Sequence, residues 1–179
     1  MLFSGSDANL IQQIARGHED ALDALYTRHG LTLLTYLVQQ LEDHELAEEV
    51  LQDVMIDVWK GAAKFRNEST VRTWLFSIAR YRAIRHRHYR HPKHDPLDDE
   101  IVTTENGLEE TVYTVMQRSD VQQAISELSP QHREVLNLIF FHDLSGNETA
   151  AVLDIPLGTL KSRLWRAKDA LRKLLQEGV

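Results

Sequence analysis

Leu128-Ser129-Pro130-Gln131-His132-Arg133-Glu134-Val135-Leu136, with Leu144-Ser145-Gly146-Asn147-Glu148-Thr149-Ala150-Ala151-Val152-Leu153 and Asp154-Ile155-Pro156-Leu157-Gly158-Thr159-Leu160-Lys161-Ser162-Arg163-Leu164-Trp165-Arg166-Ala167, decides the fold. Ser129-Pro130 opens a helix, with a capping hydroxyl followed by proline at the first helical position, where its missing N–H costs nothing. Val135, Leu136, Ile139 and Phe140 supply the core face of that helix. Residues 144–153 read as a second, short helix, and Asp154-Ile155-Pro156 as a tight connection. A third helix begins near Leu157-Gly158-Thr159 and runs to about Gln176. Within it Leu160, Leu164, Ala167, Leu171 and Leu174 recur at steps of three and four, which makes one apolar stripe with basic residues opposite. A short helix, a tight turn and a longer basic helix form a helix-turn-helix. Ala150 and Leu153 are expected to pack against Ile155 and Leu160 and so fix the inter-helix angle. Thr159, Lys161, Ser162, Arg163 and Arg166 lie at or near the N-terminal half of the third helix, the part that enters a major groove. Arg reads guanine bidentately, and Thr or Ser serves bases or phosphates. The same spacing also fits a structural helical hairpin with a solvated basic face.

Upstream the periodicity is helical as well, and Gly (8) and Pro (4) are sparse enough to leave long helices uninterrupted. Ala47, Val50, Leu51, Val54 and Val58 form one stripe over 47–58, with acids on the other face. Leu22, Leu25, Tyr26, Leu33, Leu34 and Leu37 predict a helix pair broken near Gly30. The stretch 69–90 reads as helix, opened by Ser69 or Thr70 and ended before Pro92, with Trp74, Leu75, Ile78 and Ile84 on its apolar side. Two prolines and a charge reversal at 91–99 mark a linker. The expected architecture is all-α: a helical domain over 1–94, an acidic linker over 95–117, and the helix-turn-helix domain over 118–179.

Charge is segregated along the chain. The net charge of −7 argues against a non-specific nucleic-acid binder, because phosphate neutralisation dominates such affinity. Residues 42–57 hold acids and no Lys or Arg, and 69–94 hold Arg72, Arg80, Arg82, Arg85, Arg87, Arg90 and Lys93 with no acid. Residues 95–110 are acidic again, and 160–173 are basic apart from Asp169. Each block alone fits a solvated face. Together they fit two nucleic-acid contacts and one acidic protein-docking surface. The absence of cysteine excludes a disulfide framework, thiolate metal sites and a cysteine nucleophile. No secretory signal stands at the start, and no apolar run approaches the roughly 20 residues that cross a bilayer. The expectation is a soluble protein of the cytoplasm, without membrane insertion.

The string over 128–136, with 155–167, closely resembles the C-terminal domain of bacterial sigma factors of the extracytoplasmic-function (ECF) group. The resemblance implies that this domain reads the upstream, minus-thirty-five promoter element, with Thr159, Lys161, Ser162, Arg163 and Arg166 as readers. Asp154 departs from the glycine common in that turn. The stretch Glu45 to Trp59 resembles the family's second conserved helix, which implies that Glu48, Glu49, Gln52 and Asp53 dock on core RNA polymerase. The stretch Phe65 to Arg80 resembles the segment that opens promoter DNA and holds the minus-ten element. Phe65, Arg66, Asn67, Ser69, Arg72, Trp74, Arg80, Arg82 and Arg85 are the residues expected there, with the Phe65–Val71 loop at the position of a pocket for a flipped base. Aromatic and basic residues together suit single-stranded DNA. Trp74 reads first as core. The chain departs from the family at Tyr81, where Asn is common, and at Arg85, where Asp is common, and both bear on which promoter sequence is recognised. The acidic linker matches the family in position and length only.

The implied function is that of an ECF sigma factor, which binds core RNA polymerase and directs promoter recognition and DNA melting. Its implied partners are core RNA polymerase, promoter DNA and an anti-sigma factor. The alternative is a stand-alone helix-turn-helix transcriptional regulator that binds a palindrome as a dimer. No nucleotide-binding loop, nucleophile triad or metal-ligand set is present in the sequence, so no enzyme activity and no cofactor are expected. His86, His88, His91 and His94 cluster, but positions i and i+2 point to different sides of a helix, so extra DNA-facing donors are expected there rather than a metal site.

Overall fold

The computed structural model describes residues 5–90 and 119–177. They fall into two compact units, one within Met1–Pro96 and one within Leu97–Val179. The linker expected over 95–117, and His91 and His94, lie outside the described residues.

Among the described residues the N-terminal unit holds four helices and one short 3₁₀ turn. Helix α1 is Asp7–Ala15, and its N-cap Ser6 accepts from the Asn9 amide at 3.3 Å. Helix α2 is Glu19–Leu41, and α3 is His44–Gly61, capped by Asp43, whose carboxylate accepts from the Leu46 amide at 3.0 Å. A 3₁₀ turn, Ala62–Lys64, precedes α4, Val71–Arg90. Of the two residues expected to open α4, Thr70 is the cap: its hydroxyl oxygen accepts from the Thr73 amide at 3.1 Å. The break expected near Gly30 does not exist. Gly30 is buried inside the continuous α2, where a Cβ would meet the Tyr26 ring at 3.2 Å. A helical glycine costs about 1 kcal/mol relative to alanine, which the packing of a 23-residue helix overrides.

The 47–58 stripe is the core-facing side of α3, and Ala47, Val50, Leu51, Val54 and Val58 are all buried. Helix α3 packs against both α2 and α4. From α2 and α4, Tyr36 and Phe76 meet edge to face at 5.2 Å in that core. Helix α1 is clasped to α2 by Asp7, which pairs with Arg28 at 2.5 Å and His29 at 2.8 Å, and Arg28 also donates to the Gly5 carbonyl at 3.2 Å. Burial pushes the Asp7 carboxyl up, but its Arg28 and His29 partners outweigh that and hold it below the usual carboxylate value.

In the C-terminal unit α5 is Ser119–Glu127, and α6 is Pro130–Leu136, capped by Ser129. A π-turn over Asn137–Phe141 extends α6, a feature that helical periodicity does not signal. Helix α7 is Gly146–Leu153 and α8 is Leu157–Glu177. Val121, Ala124, Ile125, Leu128, Leu136, Phe140, Ala167 and Leu171 form one buried cluster, with Ile139, Leu164 and Leu174 packed on its margin. Ser145 and Glu148 make a complete capping box at the start of α7. Asp154 ends α7 in the left-handed region, φ 54, where glycine is the usual occupant. Its amide donates to Ala151 and that of Ile155 to Ala150, which makes the connection tight.

Candidate nucleic-acid interface

The helix-turn-helix places α8 with its N-terminal half beside α7: a Cβ on Gly146 would meet Leu157 at 3.7 Å and Leu160 at 3.9 Å. Both are ordinary van der Waals distances, so Leu157 and Leu160 pack directly over the start of α7. With Leu160 buried, Lys161 is exposed and Thr159, Arg163 and Arg166 are half-buried. Ser162, expected among the readers, stands differently from the other four. It is buried, 6% exposed, and its hydroxyl donates to the Thr159 carbonyl at 3.0 Å, so it serves the helix rather than a presented surface. Trp165, 51% exposed, is an outward-facing aromatic on the same helix that the apolar stripe alone does not single out. Further along, Lys168 lies over the Phe140 ring at 5.3 Å, and Asp169 is paired with Lys173 at 2.9 Å and with Arg172.

Arg163 and Arg166 act on His132 of α6. Burial, then these two guanidinium groups, hold its imidazole below the usual value. The three side chains therefore lie close enough for the two cations to disfavour a charge on His132. Such a region accepts phosphate readily.

On α3 the residues expected to dock polymerase divide. Glu48, Glu49 and Gln52 are exposed, and Glu48 lies 3.7 Å from His44. Asp53 is turned toward α4, 3.4 Å from Arg82 and 3.5 Å from His86. The main partner of Arg82 is Asp57, held by two donors at 2.5 and 2.6 Å. The Asp57 hydrogen bond raises the Arg82 guanidinium above its usual value. Arg82, expected among the DNA-facing residues, thus ties α4 to α3 through this ion pair. The matching spacings, Asp53 and Asp57 on one helix and Arg82 and His86 on the other, were the available signal in the sequence.

The loop between the 3₁₀ turn and α4 presents Arg66, Asn67 and Ser69 to solvent. Asn67 adopts the left-handed conformation, φ 56. The Phe65 ring stacks at a tilt on Trp74, 4.8 Å between centroids. Trp74 is half-buried and also abuts Gly61, where a Cβ would stand 3.2 Å from the indole. One aromatic pair therefore closes the base of the loop. Along α4, Arg72 lies 5.8 Å from the Phe76 ring centre, Arg80 is half-buried, and Arg85 is exposed over the Tyr81 ring at 5.7 Å. Tyr81 and Arg85 stand together on one outward face. His86 faces Asp53, and His88 is exposed. Among the described residues no group of three His, Asp or Glu side chains is placed to hold a metal ion, and no helix is long and apolar enough to cross a membrane.

Comparison with known proteins gives two family matches, Sigma-70 region 2 over residues 25–91 and Sigma-70 region 4 over residues 118–171, together more than half of the chain. The RNA polymerase sigma-H factor of Pseudomonas aeruginosa is 31% identical, with 98% of this chain and 97% of that protein aligned. The ECF RNA polymerase sigma factor RpoE of Cereibacter sphaeroides is 33% identical over 91% of this chain and 92% of the relative. Among solved structures, the sigma factor RpoE of Bartonella quintana, crystallised with the anti-sigma factor NepR, superposes with a TM-score of 0.59 at 25% identity, covering 85% of this chain and 96% of that one.

Proposed function

Since the chain belongs to the sigma-70 family of RNA polymerase sigma factors, in its extracytoplasmic-function group, we propose how its parts divide the work of a transcription initiation factor that binds core RNA polymerase and directs promoter recognition and melting. The N-terminal part, residues 1–94, docks on core through the exposed α3 residues Glu48, Glu49 and Gln52, with Asp53 at the margin. Its loop residues Phe65, Arg66, Asn67 and Ser69, with Arg72, Arg80 and Arg85 of α4, engage the downstream element as it opens. Trp74 supports Phe65 from beneath, and Arg82 holds α4 on α3. The segment 95–117 links this part to residues 118–179, where Thr159, Lys161, Arg163 and Arg166 read the upstream element.

The observation that carries this reading is the order of the two family regions in one chain, each with the surface its task needs: carboxylates outward on α3, cations outward on α8. The net negative charge fits the same picture. Free protein binds DNA weakly, and polymerase supplies docking and orientation. The chemistry of RNA synthesis belongs to the polymerase, and the chain works in the cytoplasm where the polymerase is. The anti-sigma factor bound to the Bartonella relative indicates the class of protein that holds this one inactive. A stand-alone regulator is not favoured, since it leaves the region 2 match without a task.

Run-off transcription with purified bacterial core polymerase on genomic fragments tests the proposal. Transcripts that require this protein, lost in a Glu48→Lys/Glu49→Lys double variant that still folds, are the expected result. Tight binding of bare DNA without comigration with core would overturn it.

A further inference from the structure

Several cations of the C-terminal unit are already engaged. Arg133 turns back and donates to the Ser126 carbonyl at 2.6 Å and to the Leu128 carbonyl at 3.3 Å. Arg172 and Lys173 pair with Asp169, and Lys168 lies over the Phe140 ring. Among the described residues, the side chains of Arg163 and Arg166 make no ion pair or hydrogen bond. The side chain of His132 stands with them in the same condition.

His132 lies in the first turn of α6, where its amide donates to the Ser129 cap at 3.4 Å. Its ring is half-buried where α6 packs on α8. Arg163 and Arg166, three residues apart on one face of α8, are half-buried too. These two are the charged groups of α8 that act on His132. On its own helix the charged neighbours are Arg133, committed to carbonyls, and Glu134, which is buried. The π-turn packed against α6, Asn137–Phe141, carries no titratable side chain.

The residue type matters at this place. A Lys or Arg at position 132 would hold a third positive charge beside the other two at every ordinary pH. Imidazole instead stands neutral in the free unit and accepts a proton when an anion arrives. A phosphate held by Arg163 and Arg166 reverses the local field, because a negative charge within about 4–6 Å favours the protonated ring. Both ring nitrogens then donate.

We propose that His132 is a further contact to the DNA backbone, which closes with Arg163 and Arg166 on one phosphate of the upstream element and takes up a proton from solvent as it does so. This rests on the reading of α8 as the helix that meets that element. The standing charges come from α8, and α6 adds one that exists only in the complex. Affinity for the upstream element then rises as pH falls, by at most about tenfold per pH unit for a single proton.

The test is equilibrium binding of the holoenzyme, core polymerase with the full chain, to a promoter fragment that run-off transcription has identified. Binding is read at about pH 6 and about pH 8, each in a salt series, and single phosphates of the upstream element are replaced in turn by uncharged methylphosphonates. Wild type should show one linkage whose neutralisation weakens binding at least about threefold more at the lower pH than at the higher. His132→Gln keeps a similar volume and cannot charge. At the lower pH it should bind about three- to tenfold more weakly than wild type, lose the extra penalty at that linkage and show a salt slope smaller by about one. At the higher pH the two should differ by less than about twofold. Comparing the two proteins at each pH cancels titration elsewhere in the polymerase. If His132→Gln equals wild type at both pH values, or is weakened equally at both, the proton-linked contact does not exist and the proposal falls. If Arg163→Ala and Arg166→Ala also leave binding and the linkage pattern unchanged, the reading of α8 itself fails, and this inference with it.

Discussion

Replacing Arg82 with alanine removes the hinge between the docking helix and the DNA-facing helix. Arg82 gives two hydrogen bonds to Asp57, at 2.5 and 2.6 Å, and lies 3.4 Å from Asp53. The side chains of Arg82 and Asp57 are 22% and 28% exposed, so the pair is neither buried nor fully solvated. Hydrogen bonds to charged groups contribute about 1.5–3 kcal/mol, whereas solvent-exposed ion pairs contribute about 0.2–1 kcal/mol. Intermediate exposure places this pair at about 1–2 kcal/mol. Its loss also leaves Asp53 and Asp57 facing each other at i,i+4, a further cost of about 0.3 kcal/mol. Hydrogen exchange read by mass spectrometry reports this locally: peptides of α3 and α4 should exchange roughly five- to thirtyfold faster, while α8 peptides in the other unit stay unchanged. In a double-mutant cycle, Arg82→Ala and Asp57→Asn should couple by about 1 kcal/mol. Unchanged exchange in α3 and α4, or strictly additive effects, would refute the assignment of Arg82 as a structural partner and return it to the DNA-facing set.

Other outcomes follow from the caps and the titrating groups. Ser145→Ala breaks the capping box and should cost the C-terminal unit about 1 kcal/mol in chemical denaturation followed at Trp165. Asp154→Gly, at φ 54, should stabilise that unit by about 0.5–1 kcal/mol, and Asp154→Val should destabilise it by at least as much. The His132 imidazole is depressed below its usual 6.5, so the folded unit resists its protonation. Stability is full above that value and declines as pH falls through it, and His132→Asn should flatten that slope in denaturation curves taken across the range. Bound upstream-element duplex, by laying phosphates near Arg163 and Arg166, should raise the His132 midpoint in an NMR titration. Asp7 has the opposite dependence. Its stabilising pairs with Arg28 and His29 persist above the ordinary carboxylate value of 3.8 and are lost as pH falls through its lowered one, which should first loosen α1 in exchange measurements.

Much of this arrangement is legible in the chain because helices write their packing in steps of three and four. The stripes at 47–58 and 160–174, Ser129-Pro130, and Ser145 with Glu148 each name an element without reference to anything distant. Gly30 misleads because intrinsic propensity is weak beside tertiary packing: a long helix buried against α1, α3 and α4 absorbs one glycine. The π-turn at 137–141 leaves no mark because one extra backbone residue per turn does not alter composition. The division of the charged residues is the least legible part. Ser162 stands within a polar, basic string yet is buried, and Arg82 stands within a basic run yet is consumed by an ion pair from another helix. Nothing local distinguishes a cation that waits for phosphate from one already partnered, since the partner is 25 residues away in sequence.

The most direct test of the central claim is permanganate mapping of unpaired thymines on a promoter fragment found by run-off transcription. Core polymerase alone, this protein alone, and the two together are compared. Reactive thymines are expected in the downstream element only when both are present, and their loss when Phe65 and Asn67 are both replaced by alanine. Protection of an unmelted palindrome by the protein alone, unchanged by core, would contradict it.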